Sequence, residues 1–139
     1  MKVRDAMHKE AVWISPEAPL SEIADKMRRE DIGALPVGEN DRLVGMVTDR
    51  DIALRGFGRG TDPLHATARD VMSSPIIFCT DDADLEDAVH IMERKQVRRL
   101  PVIDDERQMV GILSLGDVAA SAGPGLCNEA IRAVSAHHA

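Results

Sequence analysis

Gly45-Met46-Val47-Thr48-Asp49-Arg50-Asp51 recurs 66 residues further on as Gly111-Ile112-Leu113-Ser114-Leu115-Gly116-Asp117: a glycine, two apolar residues, a hydroxyl, and an aspartate three residues after it. The likeness extends in both directions. Downstream, Asp51-Ile52 matches Asp117-Val118. Upstream, at an offset of 65, Leu35-Pro36-Val37 falls on Leu100-Pro101-Val102, Met27 on Met92, Leu20 on Leu85, Ser15 on Thr80, and Arg4-Asp5-Ala6-Met7 on Arg69-Asp70-Val71-Met72. One extra residue in the second copy's loop accounts for the change of offset. Similarity at a fixed spacing over most of a chain marks a tandem duplication.

Each copy carries the same order of elements. Leu20, Ile23, Ala24 and Met27 recur at i, i+3, i+4 and i+7, as do Leu85, Ala88, Val89 and Met92, so Leu20 to Glu30 and Leu85 to Gln96 are predicted amphipathic helices. A short apolar strand ending in Pro-Val follows each helix, then a polar turn, Gly38 to Arg42 or Asp104 to Gln108. A second strand spans Leu43 to Thr48 or Met109 to Ser114, and another helix opens near Asp49 or Leu115. The unit is β-α-β-β-α, giving an α/β (α+β) fold. Gly56 to Thr67 reads as the connector, and Leu126 to about Ser135 as a terminal helix. The expected division is residues 1–60 for the first repeat with the N-terminal segment, 61–122 for the second, and 123–139 for a helical tail. A small sheet cannot bury both faces alone, so the copies are expected to pair about a pseudo-twofold axis, which creates two equivalent clefts suited to small ligands.

Composition narrows the function classes. The 139 residues are 44% hydrophobic and 29% charged, as in a globular protein. There is no Tyr, and Phe57, Phe78 and Trp13 are the only aromatics, too few to stack single-stranded nucleic acid. The net charge of -7 opposes binding to a phosphate backbone, so no nucleic-acid partner is expected. Cys79 and Cys127 suggest neither a disulfide framework nor a zinc site. His8, His65, His90, His137 and His138 lack metal-ligand spacing with other donors and read as surface or loop residues. No apolar run of signal-peptide or membrane-spanning length occurs, so the expected location is the cytoplasm, with no membrane partner.

The repeated motif carries the chemistry. A carboxylate at a helix start suits the vicinal hydroxyls of a ribose, and Asp51 and Asp117 occupy that position. Thr48 and Ser114, three residues earlier, are hydroxyls where a strand gives way to exposed helix N–H groups, a place that favours phosphate. The same residues also satisfy plain helix capping. Arg98 and Arg99 place two guanidiniums at a sheet edge, as phosphate recognition requires, or are solvated arginines.

These motifs, with Ile32-Gly33-Ala34-Leu35-Pro36-Val37 and Val97-Arg98-Arg99-Leu100-Pro101-Val102, resemble the CBS-domain family over residues 3 to about 121. The likeness is to a stand-alone pair, or Bateman module, and within these to the hypoxic-response type. It implies a non-catalytic regulatory module that binds an adenine nucleotide, AMP first, with ADP, ATP, NAD or S-adenosylmethionine as further ligands. The first site would comprise Thr48, Arg50, Asp51 and Met46 with Ile77, Val97, Arg98 and Arg99 from the opposite repeat. The second would comprise Ser114, Asp117 and Ile112 with Ile14, Ile32, Gly33 and Ala34, which supply no charge. The resemblance also implies a homodimer and an effector protein acted on in trans. Two other readings are a structural dimerisation module with empty clefts and a nucleotide hydrolase holding a metal on Asp49 and Asp51. No general base or nucleophile accompanies those carboxylates.

Overall fold

Amphipathic spacing becomes structure at α2 (Leu20–Glu30) and α5 (Leu85–Lys95), whose apolar faces bury Leu20, Ile23 and Met27, and Leu85, Ala88, Val89 and Met92. In the computed structural model, described over residues 1–9, 12–58, 60–73 and 77–135, the order is α1 (Val3–Ala6), α2, β1 (Ala34–Glu39), β2 (Arg42–Thr48) and α3 (Asp49–Asp51). A π-helical turn (Ile52–Gly56), α4 (Ala68–Val71), β3 (Cys79–Thr80), α5, β4 (Arg99–Ile103), β5 (Met109–Ser114), α6 (Leu115–Ala122) and α7 (Pro124–Ser135) follow. The predicted helices and hairpin strands stand within a residue or two. Both long helices begin with acidic and end with basic side chains, complementing their dipoles. Each stops at a left-handed residue other than glycine, Asp31 at φ 52° and Gln96 at φ 56°.

The two hairpins explain the shift in offset. β1 and β2 are antiparallel and turn through Asn40 and Asp41, both at positive φ, a two-residue connection whose twist matches that of the strands. β4 and β5 are antiparallel too, but their loop is closed by Asp104, whose Oδ1 accepts from the amides of Glu106 and Gln108, each at 2.9 Å. β3 adds a parallel strand beside β4; in the first repeat only a parallel bridge, Ile14 with Val37, stands in the equivalent place.

Two compact units result, and neither coincides with one sequence repeat. One is Val12–Ile76; the other combines Met1–Ala11 with Ile77–Ala139. The core of the first contains Ile14, Ile23, Leu35, Val37 and Val47, completed by Ala68 and Val71 of α4. The core of the other contains Leu85, Val89, Met92, Leu100, Leu113 and Val118, completed by Val3 of α1. Each short helix is therefore packed on the repeat that its own sequence does not continue into directly. The anchoring is equivalent: Ala68 and Arg69 donate backbone bonds to the carbonyls of Ala18 and Pro16, while Val3 and Arg4 donate to those of Ala83 and Asp81. Leu126 of the terminal helix packs against the second core. No described helix is long and apolar enough to cross a membrane.

Candidate functional site

In the unit Val12–Ile76, β2 ends at Thr48 and α3 begins. The Thr48 hydroxyl accepts the Asp51 N–H at 3.0 Å, and the Thr48 N–H donates to Asp51 Oδ2 at 2.9 Å. The capping reading of the motif is thus realised, and it fixes the carboxylate by one oxygen. The Ser73 hydroxyl donates to the same Oδ2 at 3.1 Å, leaving Oδ1 without a partner among the described residues. Asp49 is occupied otherwise: its amide donates to the Gly33 carbonyl, and its Oδ1 accepts the Arg50 N–H at 2.8 Å.

The other unit repeats this arrangement with one change. The Ser114 hydroxyl accepts the Asp117 N–H at 3.1 Å, and the Ser114 N–H donates to Asp117 Oδ2 at 2.9 Å. Leu115 N–H donates to the Arg98 carbonyl, as Asp49 does to that of Gly33. His8 stands where Ser73 stands, but its Nε2 lies 2.9 Å from the other oxygen, Oδ1.

His8 and Ser73 arrive on equivalent paths. His8 exchanges two backbone bonds with Ile112, at 2.9 and 3.0 Å, and Ser73 N–H donates to the Met46 carbonyl at 2.8 Å. Both paths run over the motif's glycine. A Cβ on Gly45 would lie 2.5 Å from Met72 Sδ, and one on Gly111 would lie 2.4 Å from the His8 carbonyl oxygen. The glycine of the motif therefore makes room for the incoming segment.

The structure brings Met46, Thr48 and Asp51 together in one unit, and Ile112, Ser114 and Asp117 together in the other. Met46, Ile112, Ile32 and Ala34 are half-buried, and Gly33 and Arg50 are exposed. Ile77 and Val97 are half-buried against the second core, whereas Ile14 is only 4% exposed within the first. Arg98 and Arg99 are exposed, and neither guanidinium has a carboxylate partner among the described residues.

His8 and Ser73 were not among the residues that the motif singles out. The signal for them was the duplication itself, since each follows the aligned pair Met7 and Met72. Of the other histidines, His65 pairs with Asp62 at 2.6 Å, and His137 and His138 lie outside the described residues. His90 on α5 does meet carboxylates: one donor atom each from His90, Glu93 and Glu129 of α7 lie within 4.8 Å of one another. His90 and Glu129 are exposed and Glu93 is half-buried, with its Oε1 buried and without a hydrogen-bond partner among the described residues.

The family model for the CBS domain matches residues 3–56 and 68–122. Hypoxic response protein 1 of Mycobacterium tuberculosis (strain CDC 1551 / Oshkosh) is 41% identical over 117 residues, 84% of this chain and 81% of that protein. Among solved structures, hypoxic response protein I with two coordinated zinc ions superposes with a TM-score of 0.78 at 38% identity, covering 87% of this chain and 98% of that one. CBSX2 in complex with AMP superposes with a TM-score of 0.73 at 25% identity, covering 87% and 95%.

Proposed function

The chain belongs to the CBS-domain family, and on that premise we propose that it is a non-catalytic regulatory module that binds adenine nucleotides, AMP foremost. One observation carries the reading. In each repeat the cap of the same strand-to-helix junction holds an aspartate by Oδ2, and at Asp51 the second oxygen has no partner among the described residues and is left for a ligand. A carboxylate fixed in this way suits a vicinal diol, because its orientation is set before the ligand arrives. The likeness to an AMP-complexed structure supports the ligand class.

On this reading Asp51 takes the ribose of the first nucleotide and Thr48 its phosphate, beside Arg50. Arg98 and Arg99 complete the phosphate contacts, with Met46, Ile77 and Val97 against the base. Asp117, Ser114 and Ile112 serve the second, with Ile14, Ile32, Gly33 and Ala34. Gly33 and Ala34 stand at the repeat positions of Arg98 and Arg99, so the charge-assisted bonds belong to the first site alone. Even one such bond, at roughly 1.5 to 3 kcal/mol, makes the Asp51 site at least about tenfold tighter for phosphorylated ligands. The module works as a homodimer in the cytoplasm and acts on an effector protein in trans.

Calorimetric titration with AMP tests this. Asp51→Ala is expected to abolish the tighter event and Asp117→Ala the weaker, with a melting curve for each variant to verify folding, since loss of the cap alone costs about 1 kcal/mol. Adenosine, lacking phosphate, should discriminate far less between the two. The reading is wrong if millimolar AMP neither releases heat nor raises the melting temperature of the wild-type protein.

A further inference from the structure

We infer that His8 is the specificity-determining residue of the Asp117 site: its imidazole holds the carboxylate oxygen that a ribose would need, so a nucleotide binds there only by displacing it. The inference rests on the nucleotide reading of Asp117 and adds how that site is set apart from its counterpart.

The geometry is asymmetric between otherwise matching junctions. At Asp51 both protein donors, the Thr48 amide and the Ser73 hydroxyl, converge on Oδ2, and Oδ1 has no partner among the described residues. At Asp117 the donors are divided: Ser114 N–H holds Oδ2 and His8 Nε2 lies 2.9 Å from Oδ1. The two hydroxyls of a ribose donate most favourably to a carboxylate with an open oxygen, and Asp51 has one where Asp117 has none. A diol at Asp117 must therefore exchange for an imidazole contact to a charged group, the stronger class of hydrogen bond.

Burial sharpens the contrast. The Asp117 side chain is 10% exposed, so its contact is shielded from solvent, while the His8 side chain is 77% exposed. The ring can swing away without losing packing. Its backbone cannot follow, because His8 is tied to Ile112 at both N–H and C=O. His8 is thus a side-chain plug on a fixed mount, and the single residue that differs at this repeat position, His8 against Ser73, decides how much of each aspartate remains for a ligand.

The test exchanges those two residues in the full chain. His8→Ser installs the residue that meets Asp51 at the equivalent position, and is expected to tighten the weaker, Asp117-dependent AMP event about tenfold, the equivalent of one hydrogen bond to a charged group. The tighter event is unchanged. Ser73→His is expected to weaken the tighter event. In wild-type protein the His8 ring resonances, followed by NMR, move as the Asp117-dependent event saturates. If AMP binds to both aspartates but His8→Ser leaves the weaker event unaltered and the ring resonances stay still, the role of His8 is refuted while the nucleotide reading stands. If AMP fails to bind the wild-type chain at all, the nucleotide reading falls first and the role of His8 with it. Melting curves within a few degrees of wild type show that the variants remain folded.

Discussion

Gly111→Ala should destabilise the protein far more than a methyl group in open space would. The new Cβ would stand 2.4 Å from the His8 carbonyl oxygen and 2.9 Å from Met7 Sδ. The nearer atom is backbone and cannot rotate away, so either β5 or the segment above it must move. That segment is held by the two bonds between His8 and Ile112 and by Val3, which is fully buried in the second core. Losing the bonds costs about 0.5–1.5 kcal/mol each. Overpacking adds about 1–3 kcal/mol. We expect a loss of about 3 kcal/mol and, for a chain of this size, a fall in melting temperature of about 10 °C. Gly125→Ala is the control: its Cβ meets nothing within 4 Å, and in the first turn of α7 the change is expected to be neutral or slightly stabilising. Calorimetric melting compares them, and exchange of the Ile112 amide, expected to accelerate in Gly111→Ala alone, reports the lost bridge. If Gly111→Ala melts within about 2 °C of the control, the segment does not depend on that glycine.

Two further outcomes follow from burial. Leu113, fully buried directly beneath Ser114, anchors β5 from the core side, and Leu113→Ala should cost about 2–5 kcal/mol in chemical denaturation. Burial also pushes the Cys79 thiol up to about 12, so its neutral form is favoured in the folded state. As the folded value is raised, stability is lost as pH climbs from the thiol's ordinary range toward 12, because the unfolded chain releases its proton first. Urea midpoints compared between pH 8 and 10 should fall more steeply for wild type than for Cys79→Ala, and iodoacetamide should label Cys79 only after unfolding. Equal slopes, or labelling of the native thiol, would contradict this.

What could be read from the sequence was what repeats with a period. The apolar spacing of Leu20, Ile23 and Met27 is long enough to define a helix and its buried face, and the Gly-apolar-apolar-Ser/Thr motif places its hydroxyl at the end of a strand. Four-residue helices such as Val3–Ala6 and Ala68–Val71 cover one turn and leave no periodic trace. The helix stops were read to within a residue from the end of the apolar spacing, but not their geometry, since Asp31 and Gln96 adopt a conformation that glycine usually signals. Ile14 illustrates a different limit: the sequence does not say how deeply a strand isoleucine is buried, and here it is 4% exposed in the first core. Nor does a duplication say which copy a segment packs on. Val3 lies among the residues of the second repeat and Ala68 among those of the first, a choice made by three-dimensional packing between two nearly equivalent surfaces.

That exchange gives the motif's residues a common physical purpose. The glycine makes room for the incoming segment, for the Met72 side chain at β2 and for the His8 carbonyl at β5. The hydroxyl and the aspartate close the cap of the next helix, leaving the carboxylate directed by a single oxygen. The residue that the segment delivers, one place after Met7 or Met72, then meets that carboxylate. Docking and capping therefore draw on the same carboxylate that a ligand would use, and which oxygen they take decides what remains for it. A serine delivered to the oxygen already in use leaves the other open, whereas a histidine delivered to the remaining oxygen closes it. Two repeats with the same motif can thus differ in ligand affinity through a residue outside the motif, at the end of a segment that each repeat receives from elsewhere in the chain.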